Sequence, residues 1–223
     1  MPDFYQDLKY PEPPDDRPYI VINMVTTIDG KIITGERGEP VHDLGSEVDH
    51  MMMRRIQSSV DAVLIGAENQ RTTPKLWYPK DLVRIVVTRS GNVLYPSRFF
   101  DDAPENAIVM CPNKAKLPDL PKAVKVLRFG EESVDWVEAL EHLADVENIS
   151  TLLVEGGSEV NAQLLELELA DELFLTLAPK VKLGADTPTY ADGSALPRER
   201  VQGFRLIESH VHEDEVFLRY RRA

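Results

Sequence analysis

The sequence predicts an α/β fold built on a mixed, mainly parallel sheet, and three observations predict it. From Pro18 onward, β-branched runs alternate with helical patterns. Several of those runs are apolar on both faces, as strands are when helices cover both sides of a parallel sheet. The chain then closes on two strand-like segments joined by the polar turn "HEDE", which reads as an antiparallel hairpin.

Residues 1–17, "MPDFYQDLKYPEPPDDR", are rich in proline and acid and read as an extended arm laid on a neighbouring surface, with one domain over 18–223. "YIVINMV" predicts the first strand. "SEVDHMMMRRIQ" predicts a helix whose Val48, Met51, Met52 and Ile56 share one face, so its methionines read as core packing. Strands follow in "DAVLIG", "VRIVVT", "AIVM" and "VKVLRF", then a helix in "VDWVEALEHLAD", a strand in "STLLVE" and a helix in "EVNAQLLELEL". "ELFLTLAPKV", "FRLIESHV" and "EVFLRYR" read as antiparallel strands that complete one mixed sheet.

Composition excludes several functions. A formal net charge of −13 argues against nucleic acid and acidic membranes, whose phosphates need a basic face. No run approaches the ~20 apolar residues of a membrane helix, and Met1 opens no signal-peptide pattern, so a cytoplasmic protein is expected. Cys111 is the only cysteine, which rules out an internal disulfide and the cysteine pair of zinc deaminases. His42, His50, His142, His210 and His212 form no compact metal pattern, and "HVH" reads as a solvated strand edge. No G-x-S-x-G elbow or Cys/His pair supports a hydrolase.

Three strand ends could hold anionic or polar ligands, and in open α/β sheets ligands lie at the carboxyl ends of strands. "TLLVEGGSEVN" is a buried strand, two glycines and a helix start. Gly156 and Gly157 let backbone approach a ligand, and the N–H groups at the helix start, with Ser158 as cap, suit a pyrophosphate or form a tight corner. In "VRIVVTRSGN", Thr88, Arg89 and Ser90 leave a strand with the donors a phosphate monoester needs, such as the 2′-phosphate of NADPH, or form a solvated turn. "DAVLIGAENQRTTPKL" leaves space at Gly66 and offers Asn69 and Thr73 as neutral hydrogen-bonding groups. Ser46 and Asp49 resemble a capping box. "DGKIITGERG" reads by itself as a turn.

Taken together, "TTIDGK", "DAVLIGAENQRTTPKL", "VVTRS", "LLVEGGSEVNAQLLELELADEL" and "TLAPKVKLGADTP" resemble, in order and spacing, the reductase domain of riboflavin biosynthesis. The resemblance runs from about Pro18 to the last strand. It implies the dihydrofolate-reductase-like fold, a three-layer α/β/α sandwich, with NADPH as cofactor. It also implies reduction of a phosphoribosylaminopyrimidine to its ribitylamino product by a stand-alone reductase, working as a homodimer. The cofactor residues it implies are Val25, Gly66, Asn69, Thr73, Thr88, Arg89, Ser90, Gly156, Gly157, Ser158, Glu159, Val160 and Asn161. The substrate residues it implies are Asn23, Asp29, Lys31, Ser46, Gln57, Leu76 and Glu155. Glu155 and Lys31 compete as proton donor, and no metal is implied.

Departures from the family pattern touch the substrate. Asn69 stands where threonine is common, Thr73 where aspartate is common, and Gln57 where an arginine helps hold substrate phosphate, leaving Arg54 or Arg55 to compensate. Asn23 matches archaeal and fungal relatives, which reduce before deamination. A reductase of a pterin or another small carbonyl or imine compound, and a non-catalytic nucleotide-binding protein, are the other readings.

Overall fold

The computed structural model describes residues 2–73 and 76–223. Strand β1 (Tyr19–Thr27) is followed by helix α1 (Glu47–Gln57), β2 (Ala62–Gly66), α2 (Ala67–Thr72) and β3 (Val83–Val87). After these come α3 (Arg98–Asp101), β4 (Ala107–Cys111), β5 (Lys125–Arg128), α4 (Trp136–Asp145), β6 (Thr151–Val154), α5 (Ser158–Glu166), β7 (Glu172–Ala178), β8 (Phe204–His212) and β9 (Glu215–Arg222). The chain divides into two compact units. One comprises Met1–Lys9, Ile20–Ser59 and Val154–Ala223; the other comprises Tyr10–Tyr19 and Val60–Leu153.

In the second unit the strands lie in the order β5-β4-β3-β2-β6, and the β2/β3, β3/β4 and β4/β5 pairs are all parallel. Every residue of β2 and β4 is buried, as strands covered on both faces must be. Asp135 caps α4 by accepting from the N–H groups of Val137 and Glu138 at 3.1 and 3.2 Å. The same helix buries Trp136, Ala139, Leu140 and Leu143 along one face. Cys111 is buried in β4, and that burial raises its thiol pKa.

In the first unit the order is β1-β7-β9-β8. β7 runs parallel to β1 and antiparallel to β9, and β8/β9 is the closing hairpin. β7 is therefore the strand at which the ladder changes direction, where the sequence suggested that it belonged wholly to the antiparallel end. Its burial alternates strictly, with Glu172, Phe174, Thr176 and Ala178 inside. In α1, Met52 and Ile56 are buried while Val48 and Met51 are half-buried. Ser46 caps α1, its Oγ accepting from Val48 N and Asp49 N at 3.1 and 3.2 Å. Acidic Glu47 and Asp49 open the helix and Arg54 and Arg55 close it, matching its dipole.

The start of the chain packs onto the first unit itself. Phe4 stacks on His210 at 4.4 Å and lies 5.0 Å from Phe217, while Tyr5 meets Phe174 edge-on at 5.0 Å. Arg55 Nη1 donates to the carbonyls of Pro2 and Phe4 at 3.0 and 2.5 Å. Burial pushes the Tyr5 phenol well above its usual range. His210 accordingly does not sit on a solvated edge: it is half-buried under Phe4 and lies 2.7 Å from Glu208 Oε1.

Candidate active site

In the first unit, Glu155 follows Val154 and leads into a Gly156–Gly157 pair joined by a cis peptide bond. Gly156 has φ +77°, a conformation that side-chain-bearing residues rarely adopt. Gly157 is the N-cap of α5, and among the described residues no side-chain cap bond is made there, which suits the helix start to an anionic ligand. Ser158 opens α5, its carbonyl accepting from Asp192 N at 3.4 Å. Glu159 is exposed, Val160 is buried, and Asn161 is fully buried with Nδ2 donating to Tyr190 O at 2.7 Å. Asn161 Oδ1 is buried without a hydrogen-bond partner among the described residues. An uncapped helix start beside an unsatisfied buried acceptor fits a phosphorylated ligand that also carries hydroxyl or amide donors.

Glu155 is half-buried, and its Oε1 accepts from Gln57 Nε2 at 2.7 Å. Gln57 is only 2% exposed, and its Oε1 accepts from Arg54 Nη1 at 2.8 Å. The structure therefore brings Arg54, Gln57 and Glu155 into one chain of hydrogen bonds. Arg55 is engaged with the N-terminal carbonyls instead. Asn23 and Val25 are half-buried in β1, opposite Phe174 and Thr176 of β7. Ser46 gives both its N–H, at 3.0 Å, and its hydroxyl to the buried Glu215 carboxylate.

Asp29 and Lys31 form a clasp. Asp29 accepts from Thr27 Oγ1 at 2.7 Å and from the N–H groups of Lys182 and Leu183 at 3.1 and 2.8 Å. The Thr27 hydroxyl and these backbone donors hold its carboxyl down to about 2. Lys31 Nζ donates to Thr187 O at 2.9 Å, and Lys31 bridges Thr189 as an isolated β-pair. The turn after the first strand is thus tied to residues 180–189, so its charges serve chain-to-chain bonds as well as any ligand. The sequence missed Thr187, which lies near the end of the "TLAPKVKLGADTP" motif, and Tyr190 and Asp192, which lie just beyond it.

The second unit holds the other predicted residues. Gly66 ends β2 as the N-cap of α2, a helix the sequence left as a loop because it is only six residues long. Asn69 is half-buried, and its carbonyl accepts from Thr73 N at 3.0 Å; Leu76 N donates to Thr73 O at 2.9 Å. Pro74 and Lys75 of the same motif lie outside the described residues. Thr88 is buried and its Oγ1 accepts from Gly91 N at 3.1 Å, whereas Arg89 and Ser90 are exposed at the turn. Arg71 Nη1 donates to Asn92 O at 2.7 Å, placing a second guanidinium against that turn. Among the described residues, no group of three or more His, Cys, Asp or Glu could hold a metal ion, and no helix is long and apolar enough to cross a membrane.

Residues 18–216 match the family model described as the RibD C-terminal domain. The 2,5-diamino-6-ribosylamino-4(3H)-pyrimidinone 5′-phosphate reductase of Aquifex aeolicus is 27% identical over 209 residues, which is 88% of this chain and 89% of that protein. Among solved structures, RibD of Acinetobacter baumannii has a TM-score of 0.77 at 17% identity over 94% of this chain. The match spans 59% of that longer chain. Dihydrofolate reductase from Enterococcus faecalis, complexed with NADP(H), has a TM-score of 0.55 at 16% identity, over 91% of this chain and 95% of its own. Both likenesses concern the fold.

Proposed function

Because the chain belongs to the RibD C-terminal domain family, with residues 18–216 matched, we propose that it is the NADPH-dependent reductase of a phosphoribosylaminopyrimidine in riboflavin biosynthesis. The observation that carries this reading is the turn at the end of β6, where Glu155 and the Gly156–Gly157 pair lead into the start of α5. The diamino compound, as in the name of the Aquifex relative, is the preferred substrate, and Asn23 supports that preference. NADPH supplies the hydride when bound. The protein positions two anionic molecules and manages one proton.

The first-turn amides of Ser158, Glu159 and Val160 hold the cofactor pyrophosphate, with Gly156 and Gly157 allowing close approach. Asn161 Oδ1 accepts from the same ligand. Arg89 and Ser90, with Thr88 shaping their turn, take the 2′-phosphate. Val25, Gly66, Asn69 and Thr73 line the nicotinamide and ribose. Asn23, Asp29, Lys31, Ser46 and Leu76 border the pyrimidine and its sugar. The ring-opened sugar presents an imine at C1′; C1′ gains the hydride while the imine nitrogen gains the proton that Glu155 holds.

The enzyme works as a homodimer in the cytoplasm. Leu173, Leu175, Leu177, Val216, Leu218 and Tyr220 are half-buried on one face of β7 and β9, opposite the face that packs inside. Leu206 and Val211 of β8 extend that face and are exposed. Light scattering at micromolar concentration is expected to return a two-chain mass; a single-chain mass overturns the dimer.

The activity is tested by following NADPH absorbance with the diamino compound, its deaminated counterpart and a dihydropterin in parallel. Oxidation driven by the diamino compound above the other two is expected. Turnover only with the pterin, or NADPH binding with no turnover at all, overturns the assignment.

A further inference from the structure

We infer that Gln57 is a positioning residue whose side-chain amide, oriented by Arg54, holds the Glu155 carboxyl in place through Oε1. The inference rests on the reading of Glu155 as proton donor and extends it to the residue that holds that carboxyl. Where the family pattern suggests a cation for substrate phosphate, Gln57 is buried, with its amide engaged at both ends.

The orientation of that amide follows from the chemistry of its neighbours. A guanidinium has only donors, so Arg54 Nη1, at 2.8 Å, requires the Gln57 oxygen. The amide nitrogen then faces Glu155 Oε1 at 2.7 Å. Turning the amide over would set donor against donor at Arg54 and acceptor against acceptor at Glu155, losing both bonds together. Arg54 and Gln57 are three residues apart on α1 and so share one helical face, which lets a single helix supply lock and amide alike. The link also favours the charged form of Glu155, because a donor to a carboxylate stabilises its anion.

The test follows the Glu155 carboxyl by carbon-13 NMR in protein labelled at the glutamate side-chain carboxyl, assigned by its loss in Glu155→Gln, alongside steady-state kinetics. Gln57→Met fills the buried space without a donor. The Glu155 titration is expected to move up by about one pH unit. Measured at a pH below the titration, where Glu155 is protonated in both proteins, kcat is expected to fall about tenfold, with the dissociation constant for NADPH and the KM for the pyrimidine little changed. Arg54→Ala tests the same link without altering the buried position: it frees the amide to turn, and the titration moves the same way by a smaller step. An unmoved titration in both folded variants overturns the inference, as does a raised pyrimidine KM at unchanged kcat, which would make Gln57 a substrate contact. If the titration moves but the wild-type protein never oxidises NADPH with the pyrimidine, the positioning stands and the proposed activity falls.

Discussion

Arg219 Nε lies 2.6 Å from Glu172 Oε2 in the interior of the first unit, and Arg221 Nε reaches the other carboxylate oxygen at 2.8 Å. Glu172 is fully buried, and Arg219 also donates to Lys9 O at 3.1 Å, so this cluster ties β7 and β9 to the start of the chain. Removing one partner of a buried pair leaves a charge without its full compensation. Arg219→Met is expected to cost about 3 kcal/mol and lower Tm by about 6–12 °C. Thermal unfolding followed by circular dichroism checks this, and a change of about a degree would mean that Arg221 compensates alone.

Asp49 gives stability a pH dependence of unusual sign. Burial, reinforced by the Glu215 charge, raises its carboxyl to about 6 against the lowering effect of the Thr176 hydroxyl. A carboxyl raised on folding binds its proton in the folded chain where the unfolded chain has lost it. Its contribution therefore erodes stability as pH rises from about 4 toward about 6 and is level above that. Asp49→Asn keeps the shape and removes the charge. The variant is expected to be more stable than the wild type by about 1 kcal/mol at pH about 8 and nearly equal to it at pH about 4. Urea unfolding at the two pH values decides this, and an effect independent of pH contradicts it.

Arg89 is exposed at the end of β3 with Ser90 beside it. Under the proposed function, a guanidinium there distinguishes the two cofactors through a single phosphate. Arg89→Ala is expected to weaken NADPH binding roughly tenfold or more while leaving NADH binding unchanged, as charge-assisted bonds of this size imply. Titration of protein fluorescence with the two cofactors in parallel measures it. Equal losses for both would place Arg89 away from the 2′-phosphate.

The sequence carried the strands well because β2 and β4 are apolar throughout and β7 has a leucine at every second position, patterns that can be read without knowledge of their neighbours. Helix α2 escaped because six residues of mixed polarity show less than two turns of periodicity. The direction change at β7 escaped because an apolar strand reads the same whether its partner is parallel or antiparallel. The glycine turn after Glu155 was legible as a turn and a helix start. What Gln57 does was not, since its partners lie three residues and ninety-eight residues away and only the fold brings them together. The same holds for Asp29 and Lys31, whose partners at 182–189 cannot be read from "DGK".

The central claim is that a hydride passes from NADPH to C1′ of a phosphoribosylaminopyrimidine. It is tested most directly with NADPH deuterated at nicotinamide C4, with the product analysed by mass spectrometry and proton NMR. The account predicts one deuterium in the ribityl chain, located at C1′, with NADPH consumed in equal amount. A product without deuterium, or deuterium at any other carbon, contradicts it.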